Sequence, residues 1–124
     1  MSLLQLLNSI LQDILPIETG VFSGKPPDKY LVLTPLVDTF ELHGDNQPNA
    51  EVQEVRISIF YIGNYTSVKN RIVQALLDSE LTVTDRRYLG HDDSTGHHQY
   101  VIDVAKEFDL NKEEEDLFGN YRFG

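Results

Sequence analysis

A chain of 124 residues is one domain by size, long enough to bury roughly two-thirds of the surface its unfolded form exposes. Its 40% hydrophobic and 10% aromatic content is that of a globular domain, and the lack of cysteine excludes both a disulfide frame and a thiolate metal site. Ten basic residues against twenty acidic ones leave a formal charge of −10, which excludes a domain built to grip a phosphate backbone but not one past which DNA slides.

The start of the chain has no basic n-region, and Gln5, Asn8, Ser9, Gln12 and Asp13 interrupt its apolar residues, so no signal peptide is read there. No run approaches the roughly twenty residues that span a bilayer. A soluble protein without a membrane partner, remaining where it is made, is the expectation. Leu3, Leu7, Ile10 and Ile14 recur at helical spacing, with Leu6 and Leu11 widening the stripe. This predicts a helix capped by Ser2 and stopped at Pro16. Its polar face is mostly uncharged, as in a helix that docks on a core.

Gly24 and Pro26-Pro27 mark residues 20–28 as a loop. Residues 30–34 read as a buried strand that Pro35 interrupts, with a bulge or an edge position expected there. The strand resumes with Val37, Thr39 and Glu41 on one face and Leu36, Phe40 and Leu42 on the other. Residues 43–49 are dense in turn formers, and Asp45, Asn46, Gln47, Pro48 and Asn49 are read as a hairpin tip. In residues 51–62, Val55, Ile57, Ile59 and Tyr61 point one way and Glu54, Arg56 and Ser58 the other, which completes a long antiparallel hairpin.

Asn64 or Thr66 can cap a second helix whose inner stripe is Val68, Ile72, Ala75 and Leu76, joined by Val73 and closed at Asp78-Ser79. Residues 81–89 and 99–108 are two further strands. The register placing Arg87 opposite Asp103 and Leu89 opposite Val101 is preferred over the shift that sets Asp85 against Asp103. The result is an α+β fold in the order α-β-β-β-α-β-β: a single antiparallel sheet with a long hairpin, an N-terminal helix and one middle helix packed on it. Residues 1–110 form this domain. Residues 111–124, with Glu113, Glu114, Glu115 and Asp116, are an acidic tail expected to be solvated and mobile, though Leu117, Phe118, Tyr121 and Phe123 could dock on a partner.

Chemistry, if there is any, concentrates between those last two strands, where His91, Asp92, Asp93, His97 and His98 supply ligand types for zinc or a non-haem metal. A turn carrying Ser94, Thr95 and Gly96 is poor scaffolding for a metal, and neighbouring His97 and His98 point to opposite sides of a strand. An exposed hairpin tip is therefore preferred to a metal site on His91, Asp93 and His97. Ser94 sits in no nucleophile-elbow pattern, and the glycines before Lys25 lack the spacing of a phosphate loop. Arg86 and Arg87, the one basic pair, also fall on opposite faces; pairing with a carboxylate such as Asp103 is the default, and contact with a partner's acid is the alternative. No cofactor and no catalysis are expected.

The runs Tyr30-Leu31-Val32-Leu33-Thr34-Pro35-Leu36, Asp38-Thr39-Phe40-Glu41, Glu54 to Phe60, Gly63-Asn64-Tyr65 and Thr82-Val83-Thr84-Asp85-Arg86-Arg87-Tyr88 together resemble a group of small proteins from bacteriophage and prophage tails, the tail-completion or tail-terminator proteins. The likeness covers roughly residues 3–108 and lies in overall order rather than in a diagnostic motif. It implies a structural subunit that forms a ring, commonly a hexamer, which caps the tail tube and meets the head-side connector. It also implies a place in the virion tail, with assembly in the bacterial host cytoplasm. DNA would pass such a ring without being specifically bound, past acidic groups facing the lumen. Three alternatives remain: a head–tail joining or minor capsid protein, a small metal-dependent enzyme using His91, Asp93 and His97, and an adaptor for a host protein that uses the acidic tail. The expected contact surfaces are Asp45 to Asn49, Arg86 and the stretch holding His91, Asp92, Asp93 and His97.

Overall fold

In the computed structural model the described residues are 2–18, 24–43 and 47–109; for 41–43 and 47–49 the backbone alone is described. The acidic tail and the tip residues Asp45 and Asn46 lie outside the described residues. The elements are α1 (Leu3–Leu11), β1 (Ile17–Glu18), β2 (Lys29–His43), β3 (Gln47–Tyr61), α2 (Thr66–Asp78), β4 (Thr82–His91) and β5 (His98–Asp109). The fold is α+β, and its order is the expected one. Its third early strand, however, is the short β1, because Pro35 does not divide β2. The five strands lie in the order β1-β2-β3-β5-β4. All pairs are antiparallel except β1 with β2, a two-residue parallel contact that makes the sheet mixed.

Helix α1 opens on a full capping box. The Ser2 hydroxyl accepts from the Gln5 N–H, and the Gln5 side chain accepts from the Ser2 N–H. A third N-terminal donor, the Leu3 N–H, reaches Gln53 Oε1 on β3 at 2.9 Å, which ties the helix start to the sheet. Nine residues are too few to hold a helix alone. Burial of Leu3, Leu7 and Leu11 stabilises it by about 5–8 kcal/mol as an upper bound, so tertiary packing decides. The helix ends at Leu11, with turns carrying the chain to Pro16. Helix α2 buries Ile72 and Leu76. Asn64 Oδ1 accepts from the Thr66 N–H at 3.0 Å at its start. Both helices cover one sheet face, where Leu31, Val55, Ile57, Ile59, Ile102 and Val104 complete the core.

The β2–β3 ladder runs from Lys29↔Tyr61 to His43↔Gln47. Bulges at Pro35/Val37 and Glu41/Leu42 adjust its register. The second bulge lets pairing reach Gln47 and Pro48, so Gln47, Pro48 and Asn49 are strand residues rather than part of the tip. Leu31 donates its N–H to Pro16 O, on the β1 side of β2. By the two-residue period, Leu33 and Pro35 turn their backbone groups the same way. Pro35, having no N–H, leaves no donor unpaired on that open edge.

The β4–β5 register differs from the preferred one. Asp85 sits opposite Asp103 and Arg87 opposite Val101, with bulges at Val83/Asp85 and Tyr88/Gly90. Two like charges are tolerated there because Asp103 is already neutralised from its other side. Arg56, directly opposite on β3, donates from Nε to Asp103 Oδ1 at 2.8 Å and from Nη2 to Oδ2 at 3.1 Å. Asp85 takes Arg87 from its own strand at 3.4 Å, an exposed pair of little worth. Among the described residues no helix is long and apolar enough to cross a membrane.

Candidate functional site

The β4–β5 connection is more ordered than its composition suggests. Asp92 Oδ1 accepts from the Ser94 N–H at 2.9 Å and from the Ser94 hydroxyl at 2.7 Å. Asp92 N donates to His97 O, and Gly96 N donates back to Asp92 O. Gly96 has a φ of +86°, a left-handed conformation that a side chain would strain. The Ser94 bonds hold the Asp92 carboxyl below its ordinary range.

His97 is not on an exposed tip. It is 5% exposed, on the face away from the helices. Its Nε2 lies 2.7 Å from Pro27 O, and its Nδ1 lies 2.9 Å from Thr95 Oγ1. A carbonyl can only accept, so Nε2 carries hydrogen and Nδ1 is left to the Thr95 hydroxyl. The imidazole edge also meets the stacked pair of Tyr30 and Phe60, whose centroids are 4.8 Å apart. Burial first, then the charges of Asp92 and Glu18, push the Tyr30 phenol above its ordinary value. These side chains, with Leu89 and Gln99, wall a cleft of about 440 Å³. No buried side-chain nitrogen or oxygen among the described residues lacks a partner, so the cleft offers no orphaned polar group around which a ligand site would be built.

His98 faces the opposite way, as neighbouring strand residues must. Its Nδ1 lies 2.8 Å from the Tyr88 hydroxyl, in an aromatic group with Tyr65 and Tyr100. Tyr65 and Tyr88 stack at 6.0 Å, and Lys69 Nζ lies 5.2 Å above the Tyr100 ring. Burial first, and then its tyrosine neighbours, raise the Tyr65 phenol. His91 Nδ1 donates to Asp93 Oδ1 at 2.8 Å, while the His91 ring lies 4.7 Å from that of His98. The alternative metal trio is therefore divided: His91 and Asp93 bind each other, and both ring nitrogens of His97 are engaged elsewhere. Among the described residues no three His, Asp or Glu side chains converge as a metal-holding group.

The exposed apolar side chains show a pattern the sequence does not. Leu36, Val37 and Phe40 are 42%, 43% and 63% exposed on the distal half of β2. Tyr88 and Leu89 are exposed at the far end of β4, Tyr88 on the side of Tyr65 and Tyr100 and Leu89 on the side of the cleft, and Leu77 stands singly on α2. Phe40 pairs with Glu51, beyond the Gln53 contact where α1 begins, so it projects past the described helix layer. Of the expected contact residues, Gln47, Pro48 and Asn49 continue the β2–β3 hairpin, Arg86 lies beside Tyr88 and Leu89, and His91, Asp92 and Asp93 are exposed at the β4–β5 turn. The Arg56–Asp103 pair and the Tyr65–Tyr88–Tyr100 group were missed, because both depend on register across strands or on where α2 begins.

No protein-family model matches the chain, and no curated protein matches it in sequence.

Proposed function

We propose that this protein is a structural assembly subunit of the tail-terminator kind, which acts by binding copies of itself and adjoining tail parts and makes no bonds. The observation that carries the reading is the long β2–β3 hairpin, whose distal half leaves Leu36, Val37 and Phe40 exposed, with Phe40 on the helix-side face past the start of α1 and Val37 on the other face. Large apolar groups left exposed on both faces of one hairpin cost solubility, so such a hairpin marks a contact surface. A strand pair of fifteen residues each is rigid enough to carry such a surface away from the core that anchors it.

A ring of such subunits, six by the sequence likeness, would cap a tail tube and present its other side to a connector. The acidic balance of the chain fits a channel wall from which DNA is repelled. Electron microscopy of the purified chain mixed with unterminated tail tubes tests the proposal. Rings seated on tube ends are the expected result. Tubes that keep elongating, their ends bare, would refute it.

A further inference from the structure

The two exposed apolar patches differ in charge and in position, and this bears on how copies meet. At the distal hairpin, Asp38 and Phe40 lie two positions apart on the side of β2 that faces Gln53 and Glu51. At the other end of the sheet, Arg86 and Tyr88 lie two positions apart on β4, on the side that faces Ile102 and Tyr100. The same sheet face carries both pairs. Asp38 and Glu51 outnumber Lys106, which lies opposite Gln53 on the same face, and so leave the first patch acidic, while Lys69 beside the Tyr88 group makes the second basic. The patches cannot meet within one molecule: Tyr88 lies level with Ile59 and Phe40 with Glu51, about 26 Å apart along the strands.

We infer that the Asp38/Phe40 end of one copy docks on the Arg86/Tyr88 end of the next, in a head-to-tail contact that leaves an open row of copies with one unused patch of each kind, at its two ends, until it closes. This deepens the ring-subunit reading and rests on it. A two-fold contact that sets like patches together is disfavoured by the same charges, since Asp38 and Glu51 would face their own copies, or Arg86 and Lys69 theirs. A two-fold pair that exchanges both patches would instead close at two copies, so a wild-type mass of two chains overturns the head-to-tail contact. The β4 edge, bulged twice and carrying Asp85, Arg86 and Arg87, is poorly suited to adding a strand. The contact is therefore assigned to side chains on a face rather than to extension of the sheet.

Two variants of the full chain separate the possibilities: Phe40→Asp spoils only the hairpin patch, and Tyr88→Asp spoils only the β4 patch. The expected result by light scattering is that each variant alone is monomeric, while an equal mixture forms a two-chain species and nothing larger. Each substitution should raise the concentration for half-assembly by about 30-fold or more. Should either variant alone form two-chain species, or the wild-type chain stop at two copies, the contact is two-fold and the inference is wrong. If both variants keep the wild-type oligomer, some other surface is used; the inference then fails while the ring-subunit reading stands. A wild-type chain that is monomeric throughout and leaves tube ends bare overturns both. Because Tyr88→Asp also disturbs the Tyr65 stack, a second pair guards against misfolding: Asp38→Arg and Arg86→Asp, both at exposed positions. Each alone should weaken assembly and the double variant should restore it, whereas a double variant weaker than either single one contradicts the pairing.

Discussion

Arg56 and Asp103 face each other across β3 and β5, joined by two parallel hydrogen bonds of 2.8 and 3.1 Å on the sheet face that no helix covers. Donation to Asp103 is the main cause that holds the Arg56 guanidinium above its ordinary value; desolvation opposes it, and the charges of Asp103 and Asp85 add to it. Asp103 is 7% exposed, so its carboxylate depends on this partner. Replacing Arg56 by Ala leaves that charge nearly buried and opposite Asp85, and should cost about 2–3 kcal/mol. Arg56→Lys should recover only part of this, since an ammonium cannot make both bonds. Urea unfolding of the three proteins reads the difference; equal midpoints would show that the pair is idle.

His97 joins the β4–β5 turn to the Pro26-Pro27 loop. His97→Ala removes the bonds to Pro27 O and Thr95 as well as the ring contact with Tyr30 and Phe60, an expected loss of about 2–4 kcal/mol. His97→Phe keeps a ring but strands the Pro27 carbonyl, and should fall between wild type and Ala. Thermal unfolding followed by tyrosine signals would order the three.

Acid should act on the same turn through Asp92. Its hydrogen bonds, those of Ser94 first, hold its carboxyl below the ordinary 3.8. A depressed value in the folded state means that the contribution is complete above that ordinary value and is lost as the pH falls through the lower folded one. The stability gap between wild type and Asp92→Ala should therefore be constant near neutrality and narrow at more acid pH. Unfolding curves from pH 6 downwards measure the gap. A gap that widens in acid would contradict the assignment.

Gln53 Oε1 accepts from the Leu3 N–H and so joins β3 to the helix start, while its Nε2 donates to Glu51 Oε1 at 3.3 Å. Gln53→Ala should cost about 1 kcal/mol and loosen α1 first. Faster amide exchange at Leu3 and its neighbours, with β5 unchanged, is the expected pattern.

How much of this was legible beforehand follows the range of each interaction. The Ser2 cap, the α1 and α2 stripes and the alternation of β3 are written in residues a few positions apart, and they appear in the fold, although α1 ends at Leu11, short of Ile14 and of the expected stop at Pro16. Pro35 was correctly placed at a bulge on an edge. The β4–β5 register was not legible, because the preference for Arg87 against Asp103 considered two strands alone. The partner that satisfies Asp103 comes from a third strand, through Arg56. The burial of His97 was hidden for a related reason: its acceptor, Pro27 O, is seventy residues away in sequence. The exposure of Phe40 depends on where α1 begins, which alternation along β2 does not encode.

The proposed function depends on contact between copies of this chain. Light scattering of the 124-residue chain over a wide range of concentrations is the test, with 14.2 kDa as the mass of one copy. A ring-sized multiple of that mass at high concentration, reduced to single copies by Phe40→Asp, is the predicted result. A mass of one copy at every concentration, unchanged when tail tubes are added, would contradict it.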